Sequence, residues 1–151
     1  MKYIIIKVSK ILNINLPRFI NNKELAFSYI PNVIYYKYLK KTNFYAAIFH
    51  ELRHHYQYIY MKKNSDSLSL TYEIEFSNYD KFNYYNLNIE LDAYAFSYIM
   101  MKKIFNIDFD FKIIKKERII SYIYDNFDLY EEYLKLWINT IFQSNMDLES
   151  F

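Results

Sequence analysis

The chain has 151 residues, 19 basic and 17 acidic side chains and a net charge of +2, the length of one domain, so residues 1–151 are read as a single unit. Charge this balanced excludes a strong field for nucleic acid or an anionic membrane, and no apolar run reaches the roughly 18 residues of a membrane span. With no cysteine there are no disulfides and no thiolate ligands, so a metal would have to be held by histidine and carboxylate.

The chain begins with a helix-like spacing of Ile4, Ile5, Val8, Ile11 and Leu12, which predicts a helix over residues 3–13. Lys7 and Lys10 interrupt the apolar start and no small-residue cleavage site follows, so a signal peptide is not expected and a cytoplasmic location is. From Leu16 the pattern shortens to apolar runs at 18–20, 25–30 and 33–38, divided by Asn21-Asn22 and Pro31-Asn32. These predict a small antiparallel sheet whose last two strands form a hairpin. Glycine is absent, so turns and caps that need positive φ fall to residues such as asparagine.

Thr42 or Asn43 is the expected N-cap of a helix reaching about Met61. Tyr45, Ile48, Phe49, Leu52, Tyr56 and Ile59 supply its apolar stripe, which predicts that one face packs while the other is free for chemistry. The segment 67–76 alternates like a strand, yet Tyr72, Phe76 and Tyr79 also make a helical stripe, and a helix over 70–81 is the reading taken. After a loop at 83–88, a helix is expected over 89–105 with Asn88 as its cap. Another follows from Asp110 to about Asn126, and a last one starts at Asp128 with Glu131 three residues on. Its apolar side would be Tyr133, Leu134, Trp137, Ile138 and Ile141.

The second of these helices carries His50-Glu51-Leu52-Arg53-His54, an H-E-x-x-H pattern. Residues four apart on a helix lie about 40° apart and one turn up, so His50 and His54 can bind one ion, and Glu51 sits where a carboxylate can reach a water on that ion. In chains shuffled at this composition the pattern arises on the order of a few times per thousand, which makes an accidental His/Glu face a poor account. His55 projects about 100° from His54 and is read as a supporting or surface residue, not a ligand. Catalytic zinc has three protein ligands, and the segment Asn88-Ile89-Glu90-Leu91-Asp92-Ala93-Tyr94-Ala95-Phe96 offers carboxylates for the third place at Glu90 and Asp92.

Taken together, H-E-x-x-H and a later E-x-x-A-x-x-F with an apolar tail resemble the ImmA/IrrE-type metallopeptidases of phages and mobile elements. More broadly the pair resembles gluzincins, whose third ligand is a glutamate on a second helix. By that resemblance Glu90 takes the ligand place and Ala93 and Phe96 match packing positions. Helix geometry agrees, since Glu90, Ala93, Tyr94 and Ser97 share a face whereas Asp92 lies about 160° from Glu90. Asp92 is then a helix-start charge or a partner for Arg53 or a lysine. Tyr94 stands where the family has an Asn or Asp behind the ligands, and its hydroxyl could orient a ligand histidine. Arg53 stands where the motif often holds a small residue, and no proline follows the methionine pair.

The fold expected is α+β and zincin-like, with a small antiparallel sheet, a metal-binding helix and a mostly helical C-terminal half. The function expected is zinc-dependent hydrolysis of a peptide or protein substrate, with Zn²⁺ on His50, His54 and Glu90 and Glu51 as general base. The alternative is a silent zincin-like binding module, with Arg53 crowding the site. A metal-free helical interaction protein is the remaining alternative.

Overall fold

In the computed structural model, which describes residues 2–24, 27–79 and 83–136, the chain runs α1 (Lys2–Ile11), β1 (Arg18–Asn21), β2 (Ser28–Ile30), β3 (Val33–Tyr36), α2 (Lys41–Lys63), α3 (Ser67–Ser77), α4 (Asn88–Phe105), α5 (Lys116–Asp125) and α6 (Phe127–Lys135), with a 3-10 turn at Tyr84–Asn86. The architecture is α+β, a small sheet followed by helices. The expected strand positions 25 and 26, the helix end at 80 and 81, and Trp137, Ile138 and Ile141 lie outside the described residues. Among the described residues no helix is long and apolar enough to cross a membrane.

Asparagine does the work of the missing glycine. The positive-φ residues described are Asn13, Asn32 and Asn106. At the end of α1, Ile14 N–H returns to the Ser9 carbonyl and Asn13 N–H to that of Lys10, the two bonds of a Schellman motif, with Asn13 at φ 53° in the usual glycine position. Pro31 and Asn32 form a two-residue link between β2 and β3, Asn32 at φ 67°, so the expected hairpin is present.

The sheet is not all antiparallel. β3 lies between the other two strands, antiparallel to β2 and parallel to β1, with Arg18 opposite Val33 and Asn21 opposite Tyr36. The apolar runs locate the strands but not their order. The chain leaving β1 passes beyond the place of β3 before β2 is laid down, and the hairpin then returns β3 into the gap. β2 is therefore left at an edge of the sheet.

Helices α2 and α4 form the centre. Ser97 Oγ donates to the Ala46 carbonyl at 2.7 Å and Gln57 Nε2 to the Ile89 carbonyl at 2.9 Å, so the two helices run antiparallel. Ala46, Ala93, Ala95 and Ser97 are buried small residues, which lets the axes approach closely. The expected stripe of α2 is buried from Tyr45 to Leu52 and half-buried at Tyr56 and Ile59, but its other face is not open: His50, Glu51, Arg53, His54, His55 and Gln57 are buried as well. The helix is enclosed because α4 covers the side that carries the histidines.

Helix starts differ from expectation where local capping signals compete with tertiary contacts. α2 begins at Lys41, ahead of Thr42 and Asn43, with no side-chain cap. Asp66 caps α3 by accepting the Ser69 N–H at 2.8 Å, and the strand-like alternation fails because Leu70 and Ile74 are apolar yet exposed. α4 is capped from outside: Glu75 of α3 accepts the Ile89 N–H at 2.8 Å and the Asn88 side chain at 2.7 Å, so Asn88 sits in the first turn and is not the cap. Asp110 starts no helix; a turn at Phe111–Ile114 buries Ile114, and α5 begins at Lys116. α6 begins at Phe127, one residue ahead of Asp128.

Candidate metal centre

His50 and His54 lie one turn apart on α2, and Glu90 enters from the first turn of α4, which Glu75 fixes in place. His54 Nε2 is 3.0 Å from His50 Nε2 and 3.1 Å from Glu90 Oε1, and His50 Nε2 is 3.3 Å from Glu90 Oε2. All three residues are buried. The two imidazole nitrogens and the two oxygens of the one carboxylate lie at separations close to the ligand–ligand edge of a tetrahedral site, about 3.3 Å for bonds of 2.0–2.1 Å. Glu90 Oε2, although fully buried, accepts no hydrogen bond among the described residues, and such an atom demands a positive partner. The three side chains are therefore placed to hold a metal.

The electrostatics favour a positive charge at this place, which a proton on His54 supplies when no ion is bound. Burial penalises an imidazolium at His54, but Glu90 in contact with its Nε2, helped by Glu51 and Gln57, outweighs burial and pushes its pKa up to about 9. Burial would raise the Glu90 carboxyl, yet the charge of His54 and the closeness of both imidazoles hold it well below the usual carboxylate range. Asp92 and Glu90 are both buried carboxylates on α4, but only Glu90 meets the histidines.

Glu51 sits beside this trio. It is buried on the wall of a cleft of about 330 Å³ lined by Phe27, Ser28, Tyr29, His54, Phe76, Tyr79 and Tyr84. Burial raises its pKa, Glu90 adds to the rise, and His50 and His54 pull against it. A carboxylate made more basic than usual is suited to taking a proton. The Tyr79 hydroxyl donates to Glu90 Oε1.

The supporting residues read from the sequence fall differently. Tyr94 packs its ring on His50, centroids 4.3 Å apart, but His50 Nδ1 has no hydrogen-bond partner among the described residues, so the Tyr94 hydroxyl does not orient it. His55 is neither at the metal face nor at the surface. Its Nε2–H donates to the Asn15 carbonyl at 3.0 Å and its Nδ1 accepts from the Tyr29 hydroxyl at 3.1 Å, and burial lowers its pKa, which fits the neutral ring. It thereby ties the β2 wall of the cleft to α2. Arg53 does not crowd the motif. It points into the interior and makes two bonds to Asp92, Nε to Oδ2 at 2.9 Å and Nη2 to Oδ1 at 3.0 Å, with Nη1 donating to the Tyr133 hydroxyl.

Asp92 also accepts from Tyr130 at 2.6 Å, Gln57 at 2.7 Å and Tyr72 at 3.1 Å, so it is the hub of a buried network spanning α2, α3, α4 and α6. Burial alone would raise its carboxyl, but Arg53 and these bonds keep it below its ordinary value. Gln57, three residues after His54, escaped the sequence reading because glutamine in a helix carries no motif. Its position one turn on from the second histidine was the only available signal. Compared with known proteins, the chain matches no family model, no curated protein and no solved structure.

Proposed function

We propose that the protein is a zinc-dependent peptidase of zincin-like fold, acting on a peptide or protein substrate. The observation that carries the reading is the convergence of His50, His54 and Glu90 with Glu51 beside them on the cleft wall. Once an ion displaced the proton on His54, two neutral imidazoles and a carboxylate would be a ligand set suited to zinc, and His54 lines the cleft together with Glu51. A zinc ion there supplies Lewis acidity toward a carbonyl and toward water. Glu51 takes the proton of the attacking water and returns it to the leaving nitrogen. β2 is an edge strand and Ser28 and Tyr29 line the cleft, so an extended peptide can add to the sheet alongside Glu51.

Two experiments test this. Purified protein should carry about one zinc, and Glu90→Ala should lose most of it while keeping its fold; a wild-type protein that takes up no zinc at neutral pH, measured by elemental analysis, sinks the reading. Tyr79 and Tyr84 are the cleft hydroxyls not committed to the sheet, and burial first, then Glu90, raises both pKa values so that they stay protonated donors. If one of them stabilises the developing oxyanion, Tyr79→Phe or Tyr84→Phe should lower kcat by about 10²–10³ with little change in KM. Peptide hydrolysis unchanged in both variants would remove tyrosine from that role.

A further inference from the structure

Gln57 stands between a histidine of the metal centre and the buried charge of Asp92. Its Oε1 lies 2.8 Å from His54 Nδ1, while its Nε2 donates to the Ile89 carbonyl at 2.9 Å and to Asp92 Oδ2 at 2.7 Å. Both Nε2 partners can only accept. A flipped amide would set its oxygen against two acceptors, so the orientation is fixed by the network and His54 meets the oxygen. His54 must then carry a proton on Nδ1. That leaves the lone pair of Nε2 for the ion, the atom already 3.1 Å from Glu90 Oε1.

We infer that Gln57 is a positioning residue for the metal centre, holding His54 in the tautomer and ring orientation that aim Nε2 at the ion, with Asp92 and the Ile89 carbonyl locking the amide. The inference rests on the reading that His50, His54 and Glu90 bind a metal. Metal-bound histidines commonly donate their far N–H to a carboxylate or carbonyl. Here an amide oxygen does this, and the carboxylate stands one link further back, shared with Arg53. The metal ligand is thereby connected to α3 through Tyr72 and to α6 through Tyr130, neither of which is a ligand. His50 has no such support, since its Nδ1 has no partner among the described residues.

The test is zinc affinity, measured by competition with a chelator at a temperature where circular dichroism shows every variant folded. Gln57→Met removes both the acceptor and the donor and should weaken zinc binding about 10–100-fold. Tyr72→Phe removes a hydrogen bond from Asp92 but leaves Gln57 against His54, so it should lower the melting temperature and leave zinc affinity unchanged. Cobalt(II) absorption should be altered in Gln57→Met alone. A Gln57→Met affinity within about twofold of wild type, or an equal loss in Tyr72→Phe, overturns the inference. If Gln57→Met does not fold, ¹⁵N spectra of the zinc-loaded wild type decide: a proton on His54 Nδ1 is expected, and zinc bound through Nδ1 overturns it. A wild type that binds no zinc would overturn the metal centre and this inference with it, whereas the variants can overturn the inference alone.

Discussion

Glu51→Gln is expected to keep its zinc and its fold and to lose peptide hydrolysis by 10²–10⁴-fold, the range for removal of a general base. Metal binding and chemistry separate in this variant because Glu51 is on the cleft wall and is not one of the three converging residues. The amide preserves the volume of the carboxylate but cannot take a proton. It also removes a buried acid whose pKa burial has already raised, so the substitution costs the fold little. A broad peptide library or casein, with a chelator control and elemental analysis on the same preparations, provides the measurement. Equal metal-dependent cleavage by wild type and variant would show that another group moves the proton. A wild type that binds zinc stoichiometrically and cleaves nothing across the library would instead favour a zincin-like binding module. Arg53 would not explain such silence, since it points away from the metal face.

Asp92→Ala should destabilise the fold by about 3–5 kcal/mol, because it leaves the buried Arg53 without its carboxylate. Set against a total stability of about 5–15 kcal/mol for an ordinary domain, that loss leaves a marginal protein. Tyr72, Tyr130 and Gln57 lose an acceptor at the same time, so swapping the ion pair for two apolar residues would not restore the site. Of the two places that the sequence offered Asp92, a helix-start charge or a partner for Arg53 or a lysine, the structure gives it the second, as the partner of Arg53. The pH dependence follows in sign. The folded-state pKa of Asp92 lies below its unfolded value, so its contribution is fully present above the unfolded carboxylate range near pH 4 and is lost as pH falls through the folded value. Asp92→Asn should therefore be less stable at neutral pH and lose less stability on acidification than wild type. Urea melts of the chelator-treated protein between about pH 2 and pH 7 would read this, and an acid limb as steep as that of wild type would assign it to other carboxylates.

Some of this molecule was legible in the chain. Four-residue spacing on a helix is a local property, so His50 and His54 were bound to share a face once α2 formed, and α2 forms from a strong local pattern. The need for asparagine at positive φ followed from the absence of glycine and is met at Asn13, Asn32 and Asn106. Glu90 was named through the resemblance of E-x-x-A-x-x-F to the gluzincin pattern, and helix geometry agreed by setting Asp92 on another face.

Tertiary structure decided the rest. Strand order depends on how a connection crosses the sheet, which periodicity does not encode, so β1 came out parallel to β3. The start of α4 is set by Glu75 from a different helix, and no local capping signal could have named it. Arg53 and Asp92 are 39 positions apart and each is polar; only the packing of α2 against α4 makes them one buried pair, and only α3 and α6 bring the tyrosines that complete it. Gln57 acquires meaning in the same way. A glutamine reads as a solvated helix residue until its two ends are found between a metal-facing imidazole and a buried carboxylate, because hydrogen bonds across elements are fixed by distances that the sequence does not carry.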